Sequence, residues 1–278
     1  DDRGSSSSRC FMNSEPPNIW LLGMRPRTLT MAAVPVAVGA VLAWARDADP
    51  DWITFIATLA CAVLIQIGTN LFNDANDGER GADGPDRIGP VRITGSGLAK
   101  PKQVRRAAIA CFVAALIAGV YLIVVGGLPI LVIGLASLAS GYAYSSGPRP
   151  LSHGPFGELS VIDFVGLVAV AGSYYLQIAQ LPDDAVSLTG IAIGCYAAAV
   201  LLVNNLRDTE ADLRAGRKTL AGRLGQRSTQ WLYGFLVLVP VPMLAAAWGT
   251  QALGLVWLAL PVCLWLAVLF ARMPVGPG

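Results

Sequence analysis

Long apolar segments constrain the fold of this chain more than any other feature of its sequence. Eight of them cover residues 28–46, 52–72, 104–126, 128–144, 159–180, 186–206, 231–248 and 252–271. A helix needs about 20 residues to cross about 30 Å of hydrocarbon, because each residue adds about 1.5 Å. Helices satisfy their own backbone groups in lipid, whereas an open sheet does not. The sequence therefore predicts an all-α membrane protein, a multi-span helical bundle.

Composition and charge agree with that prediction. The chain of 278 residues is 54% hydrophobic and 14% charged, well below the roughly 25% charged content of soluble domains. All but Arg46 of the 20 Lys and Arg residues fall on one side of the predicted membrane. Because cytoplasmic links carry the excess of basic residues, we expect both termini and the charged links on the cytoplasmic side of a bacterial inner membrane. The chain has no soluble basic domain, which argues against nucleic acid as a partner.

The first residues differ from the rest of the chain. Residues 1–15 are polar and contain no apolar core. We interpret them as a disordered tail or a non-native extension rather than as a signal peptide. Residues 16–278 form a single predicted transmembrane domain. The five cysteines are scattered without a Cys-x-x-Cys pair, which indicates small buried side chains rather than a metal site.

A first group of polar residues follows the second predicted span. Gln66, Asn70, Asn73 and Asp77 are spaced by four, three and four positions, so they lie within about 60° of one another on a helix. The same segment continues with further charged residues: Asp74, Glu79, Arg80, Asp83, Asp86, Arg87 and Arg92. The pattern predicts a polar stripe along the inner end of an otherwise apolar helix.

A second group follows the sixth predicted span and repeats the pattern. Asn205, Asp208 and Asp212 share a helix face. Their neighbours are mostly basic: Asn204, Arg207, Arg214, Arg217, Lys218 and Arg223. Either group alone is explained by a solvated loop, since charged runs often serve topology only. The repetition of Asn ahead of two Asp residues, on one membrane side, favours a site that both groups share.

The residue types in the two groups indicate a metal and a phosphate. Carboxylates near a membrane are costly and need a cationic partner. Carboxylate and amide oxygens suit Mg²⁺, which usually takes one or two protein carboxylates together with substrate phosphate. Arginine binds phosphate oxygens as a bidentate fork, and lysine binds them as a point charge. The two groups predict a Mg²⁺ and diphosphate site at the membrane surface, where both acidic helix ends converge.

The segments NDANDGERGAD, starting at Asn73, and NNLRDTEADLRAG, starting at Asn204, resemble the two aspartate-rich motifs of the UbiA-type intramembrane aromatic prenyltransferases. Flanking segments are similar to the 1,4-dihydroxy-2-naphthoate polyprenyltransferases of menaquinone synthesis. They are RPRTL at residues 25–29, DRIGPVR at 86–92, YSSGPRPLSHGPFGELSV at 144–161, GSYYLQ at 172–177 and KTLAGRLG at 218–225. The resemblance extends in order from about residue 20 to residue 234.

The resemblance implies a UbiA-like bundle of nine helices around a central cavity, of which this chain would carry eight and lack the ninth at its C terminus. It implies Mg²⁺-dependent transfer of a chain from polyprenyl diphosphate to 1,4-dihydroxy-2-naphthoate, with loss of the acceptor carboxylate, in contact with membrane lipid. The metal ligands that it implies are Asn73, Asp77, Asp208 and Asp212, and the catalytic set adds Asp74. Polar positions on the same segments complete the predicted substrate-binding set: Arg25, Gln66, Asn70, Asp83, Arg87, Arg92, Tyr144, Asn205 and Lys218.

Two residues depart from the family pattern, and several aromatic residues have an open role. Asp163 stands where the family generally has an apolar or aromatic residue, and the sequence leaves open whether it faces the cavity. His153 lies in a looser loop and is interpreted as a surface residue rather than a base. Some aromatic rings are expected to shelter an allylic cation, with ordinary packing expected for at least half of them. The candidates are Tyr142, Tyr144, Phe164, Tyr174 and Tyr175.

Two other functions stay open at this point. Another aromatic acceptor, such as 4-hydroxybenzoate or a porphyrin-type molecule, would suit the same superfamily. An ion-coupled transporter belongs to a different class, because intramembrane carboxylates often mark ion pathways. Transporter carboxylates should lie near the bilayer midplane at broken helices, whereas both acidic groups are predicted at helix ends on one side.

Overall fold

The computed structural model describes residues 18–46, 48–80, 91–146, 150–249 and 253–273. These residues form helices and links, with no strand among them, which confirms the predicted all-α class. The predicted tail, residues 1–15, lies outside them. In chain order the elements are α1 (Ile19–Met24), α2 (Pro26–Trp44), α3 (Trp52–Arg80), α4 (Pro101–Ser145), a 3₁₀ turn (Leu151–His153), α5 (Gly157–Ser160), a π-helical segment (Val161–Val168), α6 (Ala169–Ile178), α7 (Asp184–Arg207), α8 (Thr209–Arg214), α9 (Leu220–Leu238), α10 (Pro240–Trp248) and α11 (Leu253–Ala271).

Each predicted apolar segment falls on helix. Within the described ranges, six helical stretches are long and apolar enough to cross a membrane, and a shorter apolar helix follows at Trp257–Ala271. Apolar side chains such as Ile117, Val124 and Trp265 are exposed on the outer surface, where lipid accommodates them and water would not. The chain is therefore an integral membrane protein, and the exact number of crossings stays a prediction.

Helix α4 contains two of the predicted spans because it folds back on itself. Its 45 residues would extend about 68 Å as one straight helix, more than twice the hydrocarbon thickness. Gly127 breaks the helix with φ 67° and ψ −151°, a conformation that suits glycine. Phe112 before the break and Tyr142 after it both contact the ring of Phe72 on α3, at centroid distances of 5.6 and 5.8 Å. The two arms thus pack side by side against α3.

Glycines bring the π-helical segment close to α7. A Cβ atom on Gly194 would lie 2.5 Å from the carbonyl oxygen of Ile162, and one on Gly166 would lie 2.5 Å from that of Gly190. These distances leave no room for a side chain, and close helix approach is the common role of small residues in membranes. The packing determines where α5, which precedes the π-helical segment, meets α7.

The bundle has two contrasting ends. One end gathers the α1–α2 junction, the end of α3 and the links around α8. We call it the charged mouth and define it by Arg25, Asp77, Arg92, Asp212 and Arg217. The other end, where α2 stops and α3 and α7 begin, is called the aromatic end. It is defined by Trp44, Arg46, Asp51, Trp52, Phe55, Gln177, Asp183 and Trp248.

Candidate active site

Arg217 joins the two acidic segments at the charged mouth. Its Nη2 donates to Asp77 Oδ1 at the end of α3, and its Nη1 lies 3.3 Å from Asp212 Oδ1 on α8. Arg92, in the link after α3, brings its Nη2 to 2.8 Å from Asp77 Oδ2. The two acidic helix ends therefore converge in space, as the repeated sequence pattern predicts.

These charged groups are buried. Asp77 is 1% exposed and Asp212 is 9% exposed. Burial lowers the pKa of the Arg217 guanidinium from its ordinary value, yet arginine stays protonated at neutral pH. Taking an ion out of water costs several kcal/mol, and apolar replacements of buried ion pairs are often at least as stable. A cluster of this kind beside a cavity therefore indicates a ligand-binding role.

The charged mouth opens into a cavity of about 760 Å³ inside the bundle. Its polar lining includes most of the predicted site residues: Arg25, Gln66, Asn70, Asn73, Arg92, Tyr144, Asn205, Asp208 and Asp212. Away from the mouth the lining is apolar and includes Leu122, Ile130 and Val168. One cavity thus combines charged groups at one end with hydrocarbon walls beyond them.

Asn70 attaches the α1–α2 junction to α3. Its Nδ2 donates to the backbone carbonyl of Met24 at 3.0 Å and to Thr28 Oγ1 at 2.9 Å, and its Oδ1 lies 3.4 Å from Gln66 Nε2. Between Met24 and Thr28, Arg25 adopts a left-handed conformation with φ 54° and ψ 70°, which is uncommon for a residue other than glycine. The junction places Arg25 on the cavity wall, while its role in substrate binding stays a prediction.

Asp74 does not line the cavity, whereas its neighbour Asn73 does. It is 1% exposed, and its Oδ2 accepts the backbone N–H of Ile93 at 3.0 Å. Its Oδ1 accepts the backbone N–H and the hydroxyl of Thr94 at 2.9 and 2.5 Å. These hydrogen bonds anchor the link after α3, and the predicted catalytic role of Asp74 stays a prediction. One step along a helix turns a side chain by about 100°, which takes Asp74 off the face of Asn73 and Asp77.

The link before α9 places two neighbouring basic residues in different settings. Lys218 is exposed, and its backbone N–H donates to the carbonyl oxygen of half-buried His153 at 2.9 Å. The basic side chain on the cavity wall is that of Arg217, which the sequence pattern does not separate from its basic neighbours. Arg217 is therefore the basic residue of this link that lines the cavity, and the predicted substrate-binding role of Lys218 stays a prediction. The predicted residues Asp83 and Arg87 lie outside the described residues.

The remaining open positions fall in different settings. Asp163 is exposed on the π-helical segment and does not line the cavity. Tyr144 and Phe164 line the cavity. Tyr142 is exposed, and Tyr174 is buried in an apolar cluster near the aromatic end. Two of the candidate aromatic residues therefore line the cavity, whereas Tyr142 and Tyr174 have surface and packing positions.

The donor atoms at the mouth suit Mg²⁺. Among the described residues, no three His, Cys, Asp or Glu side chains lie close enough together to form a metal site. The converging carboxylates are those of Asp77 and Asp212, and Asp77 Oδ2 is buried without a well-aligned hydrogen bond. Asn73 and Asp208 add an amide and a carboxylate on the cavity wall. This oxygen set fits the use of one or two carboxylates per Mg²⁺, with phosphate completing the coordination.

One buried carboxylate beside the cavity is missing from the predicted set. Glu158 on α5 is 4% exposed and contacts Asn205 across the α5–α7 interface. Its distance in sequence from both acidic motifs hides this contact. An acidic residue at the start of an apolar span is nevertheless a detectable signal, because such residues are rare and often functional.

Comparison with known proteins identifies the family of this chain. A family model described as the UbiA prenyltransferase family matches residues 32–275, and the chain belongs to that family of membrane-embedded prenyltransferases. It is 42% identical over 236 residues to 1,4-dihydroxy-2-naphthoate octaprenyltransferase of Mycobacterium tuberculosis, across 82% of this chain and 79% of the relative. It is 35% identical over 259 residues to the protein of the same name from Bacillus subtilis, across 92% and 78%.

Solved structures share the fold. A UbiA homologue from Archaeoglobus fulgidus bound to DMAPP and Mg²⁺ superposes with a TM-score of 0.68 at 17% identity, covering 91% of this chain and 86% of that one. The same homologue bound to GPP and Mg²⁺ gives 0.68 at 16% identity, covering 94% and 91%. These similarities confirm the predicted UbiA-like helical fold.

Proposed function

We propose that the protein is a Mg²⁺-dependent transferase that moves a polyprenyl chain from polyprenyl diphosphate to 1,4-dihydroxy-2-naphthoate. The acceptor loses its carboxylate as CO₂, and the product is demethylmenaquinone. The observation that carries the proposal is the convergence of two acidic helix ends on buried arginines at the charged end of an otherwise apolar cavity. Relatives 42% and 35% identical to this chain are named for the same naphthoate acceptor.

The cavity suits a substrate with an anionic head and an apolar tail. Arg25, Arg92 and Arg217 offer guanidinium groups at the mouth, and guanidinium binds phosphate oxygens in a two-point geometry. The apolar walls beyond the mouth receive the isoprenoid, whose burial is favourable because it removes hydrocarbon from water. The donor is therefore oriented with its diphosphate at the mouth and its chain inside the bundle.

The chemistry follows from this orientation. The carboxylates of Asp77, Asp208 and Asp212 would hold Mg²⁺, which would stabilise the negative charge that develops on the departing diphosphate. The bond between the allylic carbon and the diphosphate oxygen breaks, and its electron pair stays on the diphosphate. Tyr144 and Phe164 present ring faces that shelter the allylic cation. The electron-rich ring of the acceptor forms the new C–C bond at the carbon that bears the carboxylate, which departs as CO₂.

The charged mouth is proposed to lie on the cytoplasmic side of a bacterial inner membrane. The side that carries most of the Lys and Arg residues is the side that stays inside. Both the diphosphate head and the naphthoate are anionic, and this basic surface attracts anions from solution. The substrates would therefore enter from the cytoplasm, and the apolar product would remain in the membrane.

The test is a transfer assay in membranes that contain the protein. Labelled polyprenyl diphosphate and Mg²⁺ are supplied with 1,4-dihydroxy-2-naphthoate or with 4-hydroxybenzoate in parallel. We expect a labelled product with the naphthoate alone, and we expect chelation of Mg²⁺ to abolish it. Product with 4-hydroxybenzoate alone would contradict the acceptor. Substrate uptake into vesicles without release of diphosphate would contradict the enzyme and favour a transporter.

A further inference from the structure

Glu158 is a buried carboxylate that the reaction described above leaves unused. Its Oε1 accepts a hydrogen bond from Asn205 Nδ2 at 2.9 Å. Its Oε2 is also buried and makes no well-aligned hydrogen bond with the residues that the structure describes. An incompletely paired carboxylate inside a bundle is costly, and helix packing alone would be served better by an apolar side chain. The residue therefore has a role beyond packing.

The neighbours of Glu158 connect it to the cavity. Asn205 and Tyr144 both line the cavity wall. Arg25 and Asp212 of the charged mouth line the same cavity. Glu158 thus lies behind the cavity wall and contacts it through Asn205.

The contact determines which way the Asn205 amide faces. A side-chain amide has one accepting oxygen and one donating NH₂ group, whereas a carboxylate oxygen accepts. Because Glu158 accepts from the NH₂ group behind the wall, the amide is oriented with its carbonyl Oδ1 on the opposite side, toward the cavity that Asn205 lines. A carbonyl oxygen accepts a hydrogen bond from a hydroxyl group and repels carboxylate and phosphate oxygens. The pair therefore favours a ligand that carries a hydroxyl donor.

The depth of Asn205 points to the acceptor rather than to the diphosphate. Asn205 precedes Asp208 by three residues near the end of α7, which corresponds to about 4.5 Å along the helix axis. It lies farther from the mouth than the acidic residues that are proposed to hold the diphosphate. A ring bound beside Asn205 would adjoin the allylic carbon, which follows the diphosphate into the cavity.

We propose that Glu158 is a positioning residue for the aromatic acceptor. It holds Asn205 so that the amide oxygen accepts a hydrogen bond from a ring hydroxyl. This inference rests on the proposed function and adds the residues that select the acceptor. Sites that hydrogen-bond a substrate hydroxyl discriminate strongly, because an acceptor lacking it leaves the protein group unpaired.

The test compares two substitutions of Glu158 in the full-length protein in membranes. Glu158→Met removes the accepting oxygen at similar volume, whereas Glu158→Gln keeps an amide oxygen that can accept from Asn205. We expect Glu158→Met to raise the KM for 1,4-dihydroxy-2-naphthoate by about tenfold, the effect of losing one oriented hydrogen bond. The KM for polyprenyl diphosphate and the half-saturating Mg²⁺ concentration should stay unchanged. Glu158→Gln should retain most of the acceptor affinity.

Controls separate this role from a folding defect. Asp163→Met removes an exposed carboxylate from the adjoining π-helical segment and should leave all three parameters unchanged. Asn205→Leu removes the amide from the cavity side and should reproduce the acceptor-only effect, which keeps the test valid if Glu158→Met does not fold. Thermal unfolding in detergent identifies variants that have not folded.

Several results would overturn the inference. An unchanged acceptor KM in a folded Glu158→Met or Asn205→Leu variant would do so. An equal loss in Glu158→Gln and Glu158→Met would assign the effect to charge rather than to amide orientation. A shift in the Mg²⁺ dependence or in the KM for polyprenyl diphosphate would move Asn205 to the diphosphate site. If the unsubstituted protein transfers no prenyl group to the naphthoate, the proposed function itself fails, which is a different observation.

Discussion

Both ends of the bundle hold arginine–aspartate pairs, but the pairs differ in burial. At the charged mouth, the side chains of Arg92, Arg217 and Asp77 are 8, 13 and 2% exposed. At the aromatic end, the side chains of Arg46 and Asp183 are 35 and 45% exposed. A solvent-exposed pair contributes about 0–1 kcal/mol, whereas breaking a buried pair leaves an uncompensated charge and costs about 3–5 kcal/mol.

The polar groups of the aromatic end also form hydrogen bonds with one another. Gln177 Oε1 accepts from Trp44 Nε1 at 2.8 Å and from the backbone N–H of Asp51 at 3.1 Å, and its Nε2 donates to the Asp51 carbonyl at 3.2 Å. The rings of Trp44, Trp52 and Phe55 pack together around this contact. Buried charges beside a cavity, which lower stability, are the ones suited to bind a ligand. Exposed charges that pair locally hold neighbouring helix ends together at the end of the bundle.

The largest loss of transfer activity is expected for Asp77→Asn at the charged mouth. An asparagine cannot neutralise Arg92 and Arg217 and is a weaker ligand for Mg²⁺, so transfer should fall by at least about 100-fold. The measurement is labelled product formed per amount of folded protein in membranes. Asp183→Asn at the aromatic end is the matched control and should keep near-normal turnover. Near-normal turnover in Asp77→Asn would remove the assigned role of the charged mouth.

The next largest effect is expected on substrate affinity, where substitutions of the neighbouring residues Arg217 and Lys218 should differ. Arg217→Gln should raise the KM for polyprenyl diphosphate by about tenfold or more, because it removes charge-assisted hydrogen bonds at the cavity wall. Lys218→Gln should change that KM by less than about threefold, since an exposed lysine makes a weak and screened contribution. Steady-state assays with varied polyprenyl diphosphate measure both. The reverse ranking would restore the sequence-based choice of Lys218.

A smaller effect, on stability, is expected for Asp74→Asn. The substitution weakens the charge-assisted hydrogen bonds to Ile93 and Thr94 and should lower the free energy of unfolding by about 2–3 kcal/mol. Denaturant unfolding in detergent measures this loss, and assays at varied Mg²⁺ should show an unchanged half-saturating concentration. A weaker Mg²⁺ response at unchanged stability would support the predicted catalytic role of Asp74 instead.

The smallest effect is expected for Arg46→Gln at the aromatic end. The pair with Asp183 is exposed, so its loss should lower the free energy of unfolding by less than about 1 kcal/mol. The difference should shrink at high salt, because salt screens exposed charges. Unfolding at two ionic strengths measures both expectations. A loss comparable to that of Asp74→Asn would show that exposure does not separate the two ends.

The fold could be predicted from the sequence more completely than the site, for a physical reason. Hydrocarbon thickness sets a minimum length for each apolar segment, so the helices could be located from composition, including the break at Gly127 between two predicted spans. The site depends on side-chain direction, which changes with every residue. Asp74 and Asp77 belong to one motif, yet one anchors a link and the other meets two arginines at the charged mouth. Glu158 lies 47 positions from Asn205 in the chain, and no local pattern connects them.

The sequence by itself determined that this chain is a helical membrane protein with two acidic motifs and basic residues on one side. Lipid forces long apolar helices, and the motif residues repeat at helical spacing. Only the tertiary structure decided that Arg217 bridges the two motifs, that Asp74 faces away from the cavity and that Glu158 orients toward Asn205. These contacts join residues far apart in the chain, and close helix packing at residues such as Gly166 and Gly194 brings them within hydrogen-bonding distance.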